Sequence, residues 1–119
     1  MARIDHVAFE SDDPDAAAAF YERILEARVV KAEGHPVMAY LGNTGVALHE
    51  RTGPGFHLAF RVSEEEKAAI RGRLDAEGIE WRERDHGIGV GLFFADPEGR
   101  QLEAIFYRSG DDPRRPVAG

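Results

Sequence analysis

Apolar and polar positions along this chain alternate in short runs, interrupted by two segments in which apolar residues recur every three or four positions. Residues 56–62, FHLAFRV, follow the breaker cluster Thr52-Gly53-Pro54-Gly55 and are predicted to form a strand. Alternation puts Phe56, Leu58, Phe60 and Val62 on one face and His57, Ala59 and Arg61 on the other. Residues 4–9, IDHVAF, repeat the design, with Val7 and Phe9 opposed to Ile4, His6 and Ala8. The pair DHVAF and FHLAF therefore sets His6 and His57 at the same point of two similar strands, the mark of an internal repeat.

Each of these strands runs into a helix signal. In Ser11-Asp12-Asp13-Pro14 the Asp13 carboxylate suits a cap and Pro14 the first helical position. Ala16, Phe20 and Ile24, with Ala17, Tyr21 and Leu25 beside them, give one apolar stripe through Glu26. In the second half Ser63 and Glu66 form a capping box, Ala69, Ile70 and Leu74 recur at helical spacing, and Gly78 stops the helix. The charge run at residues 64–67 is read as a solvated helix start. Strands are predicted at residues 28–33, 37–42 and 46–50 after the first helix, and at 80–84, 89–95 and 100–107 after the second. Asp96-Pro97-Glu98-Gly99 has the residues of a type I turn.

The fold class this implies is α+β: two βαβββ modules, residues 3–50 and 56–107, in one domain spanning 1–107. Neither module can cover a sheet alone, so the two are expected to pair into a cupped, barrel-like mixed sheet with the helices outside. Residues 108–119 lack periodicity and are expected to be a mobile tail.

A chain of 119 residues supports one core. The formal charge of -7, with no basic stripe, argues against a nucleic-acid partner. Cysteine is absent, which removes disulfides, thiolate metal sites and cysteine nucleophiles. No apolar run is long enough to cross a bilayer and the N-terminus leads directly into a strand, so a soluble cytoplasmic protein without a membrane partner is expected.

Chemistry is sought on the inner face. Aligning the last strands of the two modules on their turn glycines sets Gly45-Val46-Ala47-Leu48-His49 beside Gly99-Arg100-Gln101-Leu102-Glu103, so that His49 matches Glu103. His6, His57 and Glu103 then share an inward face, with His49 as a possible fourth member. Two neutral imidazoles and a carboxylate suit a divalent first-row ion, and without thiolates the choice is Zn, Mn, Fe, Ni or Co. A single inward histidine is more often a hydrogen-bonded core residue. Two at repeat-equivalent positions, with a glutamate that would otherwise be a buried unpaired charge, favour the ion. Met38, Tyr40 and Phe93 have inward parity and line the cavity, with plain core filling as the alternative. Arg61 shares the face of His57 and is a candidate for a substrate anion, against the ordinary reading of a solvated strand-end arginine. His86 sits on a Gly-rich loop that could lid the cup, with a plain surface loop as the favoured reading.

DHVAF, FHLAF and ADPEGRQLEAIFY within paired βαβββ units resemble the vicinal oxygen chelate superfamily, which includes glyoxalase I, extradiol dioxygenases, fosfomycin-resistance thiol transferases and bleomycin-binding proteins. The likeness covers residues 3–107 and implies that His6, His57 and Glu103 are metal ligands, that a small oxygen-rich molecule is the substrate, and that the protein is a homodimer. A glyoxalase-like lyase or isomerase, with Glu103 and His49 as catalytic residues, ranks first. That class uses a second glutamate in the first module's last strand, where this chain has Ala47 or His49. The phosphonate-holding residues of the thiol transferases are matched by Ala8, Glu83 and Phe93, and an acidic residue there is electrostatically wrong. For a dioxygenase, His49 and Tyr40 are the acid-base candidates. A metal-free protein that sequesters a drug or metabolite is the alternative from another class.

Overall fold

The computed structural model describes residues 2–51 and 55–116, so the predicted breaker at Thr52-Gly53-Pro54 lies outside the described residues. The chain divides into two compact units, each built on one of the predicted βαβββ modules, and the α+β class is as expected.

The first unit runs from Asp5 to Phe56 and takes in the C-terminal segment from Arg114. It holds β1 (Arg3–Glu10, from Asp5 onward), α1 (Pro14–Leu25), β2 (Arg28–Val30), β3 (Val37–Leu41) and β4 (Thr44–His49). Its strands are ordered β2-β3-β4-β1, with β1 and β4 parallel and the other pairs antiparallel. Asp13 caps α1 by accepting from the Ala16 amide at 3.0 Å, and Glu26 closes it in the left-handed region at φ 56°. The buried face of α1 takes only Ala17 and Tyr21 from the predicted stripe and adds Ala18. Ala17, Ala18 and Tyr21 pack on Ala39, Val46 and Leu48, whereas Phe20 and Ile24 are 49% and 56% exposed. Small residues win the inward positions because Ala39 on the sheet and Ala18 on the helix let the two backbones approach closely.

The second unit holds β5 (His57–Arg61), α2 (Glu64–Ala76), β6 (Trp81–Asp85), β7 (Gly89–Ala95) and β8 (Gln101–Tyr107), with strands ordered β5-β8-β7-β6. Ser63 and Glu66 form both halves of the capping box. Ile70 and Leu74 of α2 pack on Val62, Trp81, Leu92, Phe94 and Ala104. Lys67 departs from the solvated reading: it is buried, and its ammonium lies 3.3 Å from Glu83.

The segment after Tyr107 makes contacts as far as Arg115. Asp112 is 3% exposed, and Arg115 donates to the Asn43 carbonyl at 2.6 Å. Ion pairs and carbonyl contacts of this kind leave no periodic apolar signature.

Candidate metal centre

In the second unit β5 and β8 run parallel with Ala59 opposite Glu103, and β7 places Phe93 opposite Glu103 from the other side. These residues lie on the sheet face away from α2. His57 and Glu103 are 2% and 1% exposed, and His57 Nε2 lies 3.3 Å from Glu103 Oε1. The other carboxylate oxygen, Oε2, is 2.8 Å from Nε2 of His86. Phe93 stands edge-on to both imidazoles, at 5.5 Å from His57 and 6.1 Å from His86. Arg82, the cross-strand partner of Phe93, lays its guanidinium over that ring at 5.4 Å. Gly91 makes room for the group: a Cβ there would fall 2.0 Å from Glu103 Oε2 and 3.0 Å from His86 Nε2.

His86 reaches Glu103, which its reading as a surface residue did not foresee. The signal was parity: alternation along Arg82 and Arg84 continues to His86, and Gly91 across the hairpin puts no side chain on that face. Its backbone amide donates to the Gly89 carbonyl at 2.8 Å, extending the ladder one step past β6. Asp85 braces the turn, accepting from the Gly87 amide at 2.8 Å and from Arg108 at 2.7 and 2.9 Å. Arg108 and the Gly87 amide together lower the Asp85 carboxyl to about 2.

In the first unit His6 is 6% exposed, and its Nδ1 lies 2.8 Å from Oδ2 of Asp5, itself 1% exposed. A carboxylate only accepts, so Nδ1 is the donor of this contact, and in the neutral ring that leaves the Nε2 lone pair for a metal ion. Arg115 approaches the second oxygen of Asp5 at 3.1 Å. Gly45 is opposite His6 in the register, and a Cβ there would strike Met38 at 2.8 Å and Tyr40 at 3.2 Å. Met38 and Tyr40 do have the predicted parity, and they pack with Ala8 and Ala47 as a buried cluster.

Two sequence expectations are corrected by register. Ala8 pairs with Ala47, and its repeat counterpart Ala59 pairs with Glu103, so Ala47 and not His49 corresponds to Glu103. The turn glycines mislead because Leu41 and Thr44 close a tight turn, whereas Ala95 and Gln101 close a longer one. His49 stands at the end of β4, in a recess with Asp15, His35 and Glu50 beside the start of α1. Glu83 is opposite Leu92 on the α2 side of its sheet, bound by Lys67 and by Arg71 at 2.6 Å, so the site face of β6 presents Arg82 instead. Arg61 keeps its predicted parity, but its guanidinium is engaged by Asp111 at 2.7 Å and lies over Tyr107.

A family model described as a glyoxalase-like domain matches residues 6–105. The chain belongs to the glyoxalase-like family. This places it in the vicinal oxygen chelate superfamily, as the repeated motifs imply. Metallothiol transferase FosB of Bacillus licheniformis is 27% identical over 114 residues, covering 84% of this chain and 72% of that protein. The fold of this glyoxalase-like chain is also that of a Streptomyces coelicolor methylmalonyl-CoA epimerase variant, at TM-score 0.67 and 19% identity over 93% of this chain and 98% of that one. A glyoxalase/bleomycin resistance protein/dioxygenase superfamily member from Vibrio splendidus aligns at TM-score 0.61 and 15% identity, covering 89% and 99%. No helix among the described residues is long and apolar enough to cross a membrane.

Proposed function

We propose that the chain is a metal-dependent vicinal oxygen chelate enzyme in which His6 joins His57 and Glu103 to hold one divalent ion. The observation that carries this reading is the buried pairing of His57 Nε2 with Glu103 Oε1 at 3.3 Å, in a space that Gly91 keeps open. Two imidazoles and a carboxylate are donors that fit Zn, Mn, Fe, Ni or Co. The proton placement on His6, with Nε2 left as the donor, supports the same assignment. A bound ion would supply Lewis-acid stabilisation of negative charge on the substrate's adjacent oxygens.

Of the reactions open to this superfamily, the residues favour transfer of a thiol to a small anionic, oxygen-rich electrophile, the activity named for the Bacillus licheniformis relative. Arg82 supplies a cation on the face of Phe93, where an acidic residue had been expected. A glyoxalase-like lyase or isomerase is the second reading, favoured by the family match. It needs a base for proton abstraction, and Ala47 stands where the first module would carry one.

Elemental analysis of purified protein should find about one divalent ion per chain, and His57→Ala should lose it. Chelator should lower the melting temperature of the wild type. A melting temperature indifferent to chelator, with no ion bound, would replace this reading with the metal-free sequestering protein. In the loaded enzyme, consumption of low-molecular-weight thiols with anionic electrophiles separates transfer from isomerisation.

A further inference from the structure

We infer that His86 is a positioning residue that reserves Oε2 of Glu103, so that the carboxylate offers the ion Oε1 alone. The inference rests on the metal-dependent reading above and adds a role for a residue outside the His6, His57 and Glu103 set.

The two oxygens of Glu103 have different surroundings: Oε1 faces His57 Nε2 at 3.3 Å, and Oε2 faces His86 Nε2 at 2.8 Å. Since the carboxylate only accepts, His86 Nε2 is the protonated nitrogen of that contact. Among the described residues His86 does not belong to the group of His6, His57 and Glu103 that could hold an ion. His86 therefore acts on the ligand and is not itself one.

The contact is built into the fold. Gly91 stands across the hairpin from Arg84, and any side chain there would fall 2.0 Å from Oε2 and 3.0 Å from His86 Nε2. The His86 backbone is held by Gly89, and its ring is set edge-on to Phe93 at 6.1 Å. The turn that follows is clamped by Asp85 and by Arg108, which donates to the Gly87 carbonyl at 2.8 Å. A surface loop that merely passed the site would need neither the missing Cβ nor the clamp.

A carboxylate held by one oxygen turns and binds through the other, whereas a released carboxylate is able to use both. Each position that Glu103 does not take remains open to the paired oxygens of a substrate. His86 thus connects the β6–β7 turn to the number of positions left for substrate.

The test uses the whole 119-residue chain loaded with Co(II), whose visible absorption reports coordination number. His86→Ala is expected to change the cobalt bands and to weaken Co(II) binding by roughly 10–100-fold, the usual effect of losing a partner that orients a ligand. His86→Gln, which keeps an N–H at that reach, should restore most of the affinity and the wild-type bands. Should the alanine variant fail to fold, His86→Asn, whose amide is too short to reach Oε2, takes its place against the glutamine variant. Unchanged bands and affinity in the alanine or asparagine variant overturn the role of His86 while leaving the metal site intact. Loss of cobalt from the glutamine variant as well makes His86 a ligand and also overturns it. A wild-type protein that binds no Co(II), Zn(II) or Mn(II) fails at the earlier step, the metal-dependent reading itself.

Discussion

Arg115 Nη2 lies 3.1 Å from Oδ1 of Asp5, while the other oxygen of the same carboxylate is 2.8 Å from His6 Nδ1. The C-terminal segment thereby supplies the cation beside a carboxylate that is 1% exposed, and that carboxylate orients a candidate ligand. Arg115→Gln should destabilise the protein by about 1–3 kcal/mol, the range for depriving a buried charged acceptor of a partner. Urea denaturation measures this, and Co(II) titration of the folded variant should show weakened binding. A variant equal to wild type in both would make the Arg115 contact incidental.

Gly91 has no room for a side chain. Gly91→Ala should cost about 1–3 kcal/mol as an overpacking change and should remove the ion, because Glu103 or His86 must move aside. Gly72 in α2 is the control: nothing lies within 4 Å of a Cβ there, so Gly72→Ala should leave metal content unchanged and raise stability by up to about 1 kcal/mol. Equal metal content in the two variants would remove Gly91 from the site.

Acid should weaken the brace on the His86 turn. The Asp85 carboxyl is lowered from 3.8 to about 2 by Arg108 and the Gly87 amide, so its contribution to folding is present above pH 3.8 and fades as pH falls toward 2. Arg108→Gln should flatten the pH dependence of the urea midpoint across that window and leave its slope at higher pH unchanged. Salt should reduce the difference, because the pair is on the surface. Parallel profiles for the two proteins from pH 4 to pH 2 would refute the brace.

The repeat, the α+β class and the shared sheet face of His57, Glu103 and Phe93 were legible in the linear sequence because strand alternation and helix capping are local rules. The capping box of Ser63 and Glu66 and the Asp13 cap followed from a few adjacent residues each. Tertiary structure alone decided which residue of β4 answers Glu103, since parallel register depends on how long the preceding turn is, and the two turns differ in length. It also chose Ala18 over Phe20 as the buried face of α1, because the nearness of Ala39 rewards a small side chain and hydrophobicity does not encode distance. Glu83, Lys67 and Arg115 were unreadable for a related reason. Ion pairs join residues far apart in the chain through side chains whose partners no periodic pattern announces, and only packing brings them within reach.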